Sequence, residues 1–225
     1  MVTVITQIVA DADDGTHQAT AHAHFVSGAL CQLGFFSAGA NLRLAAWTRY
    51  TNVQVPQGAG IIAAYLLLEA ERPDSNVIVN GRIDAEATDN SGTPTHIEFD
   101  GGALQSDGHG RQTGNRTAAQ ILWSNVVPVT AGKKYRTPDF SSVIQEIVDR
   151  LGWAIGNALT LYWGDEDNES TNSPNTRRLF QDFGAGADKA PQLVVEYTDL
   201  VTSKRRQHRA SIEDAAGVIQ GQLIG

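Results

Sequence analysis

Apolar and polar positions along this chain alternate mostly in short runs bounded by turn residues, and one segment breaks that habit. Runs rich in β-branched and aromatic residues predict strands over 3–10, 21–25, 31–37, 42–51, 61–70 and 76–85, and again over 95–99, 121–126, 158–163, 178–181 and 193–197. Turn chemistry separates them: Asp14-Gly15, Gly39, Pro56-Gln57-Gly58, Asp89-Asn90-Ser91-Gly92 and Ala131-Gly132. The exception follows Arg136. There Phe140, Val143, Ile144, Ile147, Val148 and Leu151 recur at helical spacing, while Gln145, Glu146 and Asp149 take the other side. Thr137-Pro138 supplies a helix start, because a proline in the first turn loses no hydrogen bond, and Gly152 supplies the stop.

Many short strands with one helix crossing an end predict an all-β fold, a two-sheet jelly-roll β-sandwich. A chain of 225 residues with 22 glycines and 41% hydrophobic residues suits one such core over residues 1–199. The stretch 101–114 is Gly-rich and aperiodic and reads as a long loop, not a phosphate loop, since no Gly-Lys-Ser/Thr follows.

After Asp199 the character changes, and residues 200–225 read as a basic linker and a short helical tail. Ser211-Ile212-Glu213-Asp214 fits a capping box, and Ala215, Val218, Ile219 and Leu223 follow at helical spacing. So short a helix is marginal alone in water, so it is expected to dock. The docking set is Lys204, Arg205, Arg206 and Arg209 in the linker with Ile212, Val218, Ile219 and Leu223 in the helix.

The segment from Arg136 to Tyr197 carries a resemblance. Its run Thr137-Pro138-Asp139-Phe140-Ser141-Ser142-Val143-Ile144-Gln145-Glu146, then Gly152-Trp153, Gly156-Asn157-Ala158-Leu159, and Ala190-Pro191 through Glu196-Tyr197, resembles the last third of a family of bacterial and phage jelly-roll β-sandwich modules. Upstream, Tyr50 to Ala59 followed by Ile61 to Leu68, and Asn80-Gly81-Arg82-Ile83, look like that family's strand pair and central strand. The resemblance covers roughly residues 1–199 and implies an architecture; it brings no catalytic residue. Modules of this kind are usually exported, yet Met1 leads into Val2-Thr3-Val4-Ile5 without a basic n-region or cleavage site.

Charge narrows the partners. The chain carries 17 basic and 25 acidic side chains, a net of −8. The tail is +2, which leaves the body at −10 and weighs against nucleic acid as a general partner. No apolar run approaches the roughly 20 residues that span a bilayer. Lone Cys31 rules out an internal disulfide.

Candidate chemistry is sparse. Asp165, Glu166 and Asp167, with Glu169, make a carboxylate-rich loop, and Asp11, Asp13 and Asp14 make another acidic run. Calcium is the one cofactor the first loop could suit, but neither run matches an EF-hand and both read first as solvated loops. His22 and His24 alternate on one strand without a third ligand. Trp163, with Tyr162 beside it, is the candidate platform for a glycan ring, whereas Trp47, Trp123 and Trp153 read as core. No Gly-x-Ser-x-Gly or His-Glu-x-x-His pattern occurs, so no enzyme is expected. The expected function is a structural, interacting component of a bacteriophage particle (capsid decoration, connector or tail protein), made in the host cytoplasm and docking on neighbouring virion subunits. A carbohydrate-binding module is the alternative, and a jelly-roll hydrolase with paired carboxylates the third.

Overall fold

A computed structural model of the chain describes residues 1–18, 23–25, 30–37, 42–73, 77–94, 115–165, 170–171 and 173–198. The expected strand over 95–99, the Gly-rich loop and the whole tail from 199 onward lie outside them. The strands are β1 (Val2–Gln7), β2 (Asp14–Gln18), β3 (Ala23–Phe25), β4 (Cys31–Ser37), β5 (Leu42–Tyr50), β6 (Gly60–Arg72), β7 (Gly81–Ala85), β8 (Ile121–Trp123) and β9 (Lys134–Arg136). Helix α1 (Ser141–Val148) follows, then β10 (Leu159–Gly164), β11 (Thr176–Phe180) and β12 (Gln192–Thr198). The expectation of an all-β sandwich with a single helix holds among the described residues.

The two expected sheets are two leaves of one curled antiparallel sheet. One leaf holds β1, β12, β6 and β9; the other holds β11, β4, β5, β10, β7 and β8, with β2 on β5 and β3 on β2. Strand β6 joins them because it is long. Its Gly60–Leu67 stretch pairs with β12, and its Ala70 and Arg72 pair with Phe180 and Leu179 of β11. Alternation along β6 turns Ala64, Leu66, Leu68 and Ala70 inward, where they are fully buried against Leu193, Val195, Leu33, Ile83, Leu161 and Trp163. The Asp14-Gly15 pair, expected as a turn, is instead the start of β2, and β9 had no strand signal of its own.

Helix α1 begins at Ser141, later than Thr137-Pro138 suggested. The residues before it are committed to the edge of β6. Thr137 and Leu66 exchange two hydrogen bonds: the Thr137 N–H donates to the Leu66 carbonyl at 3.1 Å, and the Leu66 N–H donates to Thr137 Oγ1 at 3.0 Å. Asp139 Oδ1 accepts from the Ala64 N–H at 2.9 Å and from the Ser141 N–H at 3.0 Å, so one carboxylate ends the strand edge and starts the helix. Phe140, Val143, Ile144, Ile147 and Val148 are fully buried, as their spacing predicted. Leu151, expected on the same face, is 96% exposed, because the helix has already ended at Val148. Glu146 fixes the outer side by accepting the Ala118 and Ala119 N–H groups at 2.9 and 2.8 Å.

Candidate functional site

The sequence pointed to Trp163 as a glycan platform, and the fold removes it from that role. Strand alternation turns Trp163 into the sandwich, where it is fully buried. Its ring packs edge-on to Phe180 at 5.8 Å and tilted to Trp123 at 6.5 Å, and its indole N–H lies 3.4 Å from Thr48 Oγ1. No face is left for a sugar. Tyr162 points the opposite way, half-buried, in register with Trp47 and Asp84. Trp47 and Trp153 are core, as expected; Trp153 donates to the Val55 carbonyl at 2.9 Å.

Of the acidic loop, Asp165 is buried and turned toward Ser170, whose N–H lies 3.3 and 3.4 Å from its two oxygens. Glu166, Asp167 and Glu169 lie outside the described residues, as does His22, and for His24 only the backbone pairing opposite His17 is described. The docking set Lys204, Arg205, Arg206, Arg209, Ile212, Val218, Ile219 and Leu223 lies outside them too. The second acidic run is not a solvated loop throughout. Asp13 is buried and pairs with Arg49 at 2.7 Å, and Asp14 is buried on the opposite, inner face of β2.

The outward side of the second leaf gathers charge. Buried Asp84 pairs with Arg82 at 3.2 Å and with Arg116, while Glu86 accepts from Ser91 Oγ at 2.7 Å and Asn115 Nδ2 at 3.1 Å. These carboxylates are held by cations and amide or hydroxyl donors, an arrangement that suits a structural network.

A groove of about 280 Å³ opens where the leaves part, between the end of β8 and β9. Trp123, Val126, Val127, Val129, Tyr135 and Pro138 line it, with Phe180 at its base and Arg136 at its rim. Its wall is fixed from below. Arg178, 1% exposed, donates to the carbonyls of Val126 at 2.8 and 3.1 Å, Val127 at 2.9 Å and Val77 at 3.0 Å. The Tyr135 hydroxyl accepts from the Thr130 N–H at 2.8 Å, and Arg136 lies 3.6 Å over the Tyr65 ring. The Val126 and Val127 carbonyls and the phenol are thus already engaged, and the rest of the lining is mostly apolar, with Ser124, Asn125 and Arg136 as its exposed polar residues. Val127, in its wall, is 57% exposed; Leu122, 63% exposed, precedes Trp123 on β8 and faces the other side of the sheet, opposite Arg82.

A second polar group lies inside the sandwich end. Asp14 and Asp182 are 1% and 3% exposed, and Cys31 and Tyr50 beside them are fully buried. Burial pushes the Asp14 carboxyl up to about 8, against the opposing pull of the Phe183 N–H that it accepts at 2.9 Å. Burial also raises Asp182, and raises the Cys31 thiol and Tyr50 phenol well above their ordinary values. A thiol so disfavoured as thiolate is a poor nucleophile.

Sequence reasoning missed Arg178, Asp182 and Val127. Arg178 opens the strand read over 178–181, and nothing local in that run reveals that alternation turns its side chain inward. Val126-Val127-Pro128-Val129 did carry a signal, since an apolar run broken by proline cannot all pair within a sheet. Compared with known proteins, the chain matches no family model and no curated sequence.

Proposed function

We propose that this chain is a non-enzymatic structural module that docks on neighbouring protein subunits of a larger assembly, a bacteriophage particle being the setting. The groove between β8 and β9 carries this reading. Its lining is mostly apolar, and the Val126 and Val127 carbonyls and the Tyr135 phenol are engaged within the fold, which favours an apolar side chain presented by a neighbouring subunit as its occupant, with exposed Val127 in its wall extending the contact. An isolated exposed apolar residue means little, but Val127 is part of an aromatic-lined groove. The resemblance of residues 136–197 to bacterial and phage jelly-roll β-sandwich modules agrees with such a role, as does the expectation that the tail docks.

The test is co-sedimentation of the full chain with its native assembly, comparing wild type with Val127→Asp. The Val127 side chain is exposed, so the fold is expected to persist while association drops at least tenfold. Undiminished association would refute this docking surface.

The carbohydrate-binding alternative keeps one specific observation: Trp123 and Tyr135 both line the groove. Saturable glycan binding by the wild type, lost in Tyr135→Ala, would favour it over subunit docking.

A further inference from the structure

The connection from β11 to β12 crosses from one leaf to the other, and its anchorage is chemically unusual. It leaves Phe180, turns through a 3-10 turn at Phe183–Ala185, and enters β12 at Gln192. Asp182 caps the turn, its Oδ1 accepting from the Ala185 N–H at 3.2 Å. The next residue, Phe183, donates its N–H to Asp14 Oδ2 across 169 positions of sequence. Further on, the Ala190 carbonyl accepts from Gln7 Nε2 at 3.0 Å, which fastens the same connection to β1.

Two buried carboxyl groups therefore sit at one latch with no cation bonded to either among the described residues. The groups around Asp14 can be named element by element. From β4 comes the Cys31 thiol, and from β5 come Thr48, directly opposite in register, and the buried Tyr50 hydroxyl. From the 182–185 turn comes Asp182, and from the 3-10 turn before β2 come Asp11 and Asp13. Arg49, between Thr48 and Tyr50 on β5, is engaged by Asp13 and by the Ser91 carbonyl. None of these neighbours supplies positive charge to an Asp14 carboxylate. The Phe183 N–H favours the ionised form, but one amide bond does not replace the water that burial removes.

We propose that Asp14 and Asp182 form a proton-dependent latch that holds the β11–β12 connection on the sandwich end and releases it as Asp14 ionises. In the latched state Asp14 is neutral. Opening hydrates the carboxyl, returns it to its ordinary acidity and lets its proton leave to solvent. The sign follows. The closed carboxyl titrates near 8 and the open one near 3.8, so between those values opening releases one proton. Each pH unit then raises the open fraction by at most tenfold, and above about 8 the effect levels off because both forms are ionised. This device is independent of the docking groove, which lies between β8 and β9.

Amide hydrogen exchange on the full chain tests it, with rates corrected for the intrinsic effect of pH. The protection of the Phe183 and Ala185 amides is expected to fall by up to tenfold per unit from pH 5 to 8 and then level. In Asp14→Asn, which keeps an acceptor for the Phe183 N–H but cannot ionise, protection should be flat over that range. In Asp182→Asn, with the facing charge removed, the levelling should come at lower pH. Wild-type protection constant from pH 5 to 8 would overturn the proposal, as would the wild-type slope surviving in Asp14→Asn.

Discussion

Gln145 of α1 stands in for a strand against Ile61. Its Oε1 accepts the Ile61 N–H at 2.8 Å, while its Nε2 donates to the Ala59 carbonyl at 3.0 Å. One helical side chain thus satisfies the exposed start of β6, where Thr137 and Asp139 have not yet taken over. Together these three residues and β9 line the edge of β6 from Ala59 to Ala70, so the strand that joins the leaves is not left open to other chains. Gln145→Ala is expected to cost about 1–3 kcal/mol, the penalty for backbone groups that lose their partners. Urea unfolding of the two proteins measures it, with Gln145→Glu intermediate because it restores only the acceptor.

Arg178 is predicted to matter through its fork of donors more than through its charge. Arg178→Met leaves the Val126, Val127 and Val77 carbonyls without donors and should destabilise the fold by on the order of 3 kcal/mol. Arg178→Lys should recover only part of that, since an ammonium cannot reach several carbonyls in a plane. Thermal melts of the three proteins decide the order.

Gly34 permits a close approach of strands. Its φ of +113° is poorly suited to a side chain, and a Cβ there would overlap the Thr176 carbonyl of the neighbouring β11. Gly34→Ala is expected to lower the melting temperature sharply. An unchanged melting curve would show that β4 and β11 can part at no cost.

The pH dependence of global stability should carry the Asp14 signature. Its folded carboxyl is raised, so its contribution is full below about 3.8 and is lost as pH rises toward 8. Stability attributable to this group falls by at most about 1.4 kcal/mol per pH unit in that window. Subtracting the urea-midpoint profile of Asp14→Asn from that of the wild type should leave a descending line that flattens near pH 8.

Trp163→Ala should unfold the chain rather than blunt a binding surface, at a cost of about 3–5 kcal/mol. Circular dichroism of the variant checks this. A fully folded variant would contradict the packing of Trp163 on Phe180 and Trp123.

How far the fold could be read from sequence depended on what each signal encodes. Alternation located β4, β5, β6, β10 and β12 closely because inward positions such as Leu66 and Leu161 must be apolar. The helix was legible from Phe140 to Val148, but its start was not. Thr137-Pro138-Asp139 is good helix-start chemistry, and only tertiary pairing with Ala64 and Leu66 shows those groups engaged elsewhere. Strand β9 is three residues long, too short to show a period. Candidate sites were less legible still. Trp163 beside acidic residues looked like surface chemistry, yet one step of strand phase puts it in the core and Tyr162 outside. Asp14 and Asp182 lie 168 positions apart in the chain, so no local pattern could bring them together.

The docking account is tested most directly by placing a photo-activated cross-linking residue at position 127 and irradiating the native assembly. The account predicts a covalent adduct between this chain and an identified protein subunit of the same assembly, lost when the cross-linker is moved to position 151, which is exposed and does not line the groove. Adducts to glycan alone, or equal protein adducts from both positions, would contradict it.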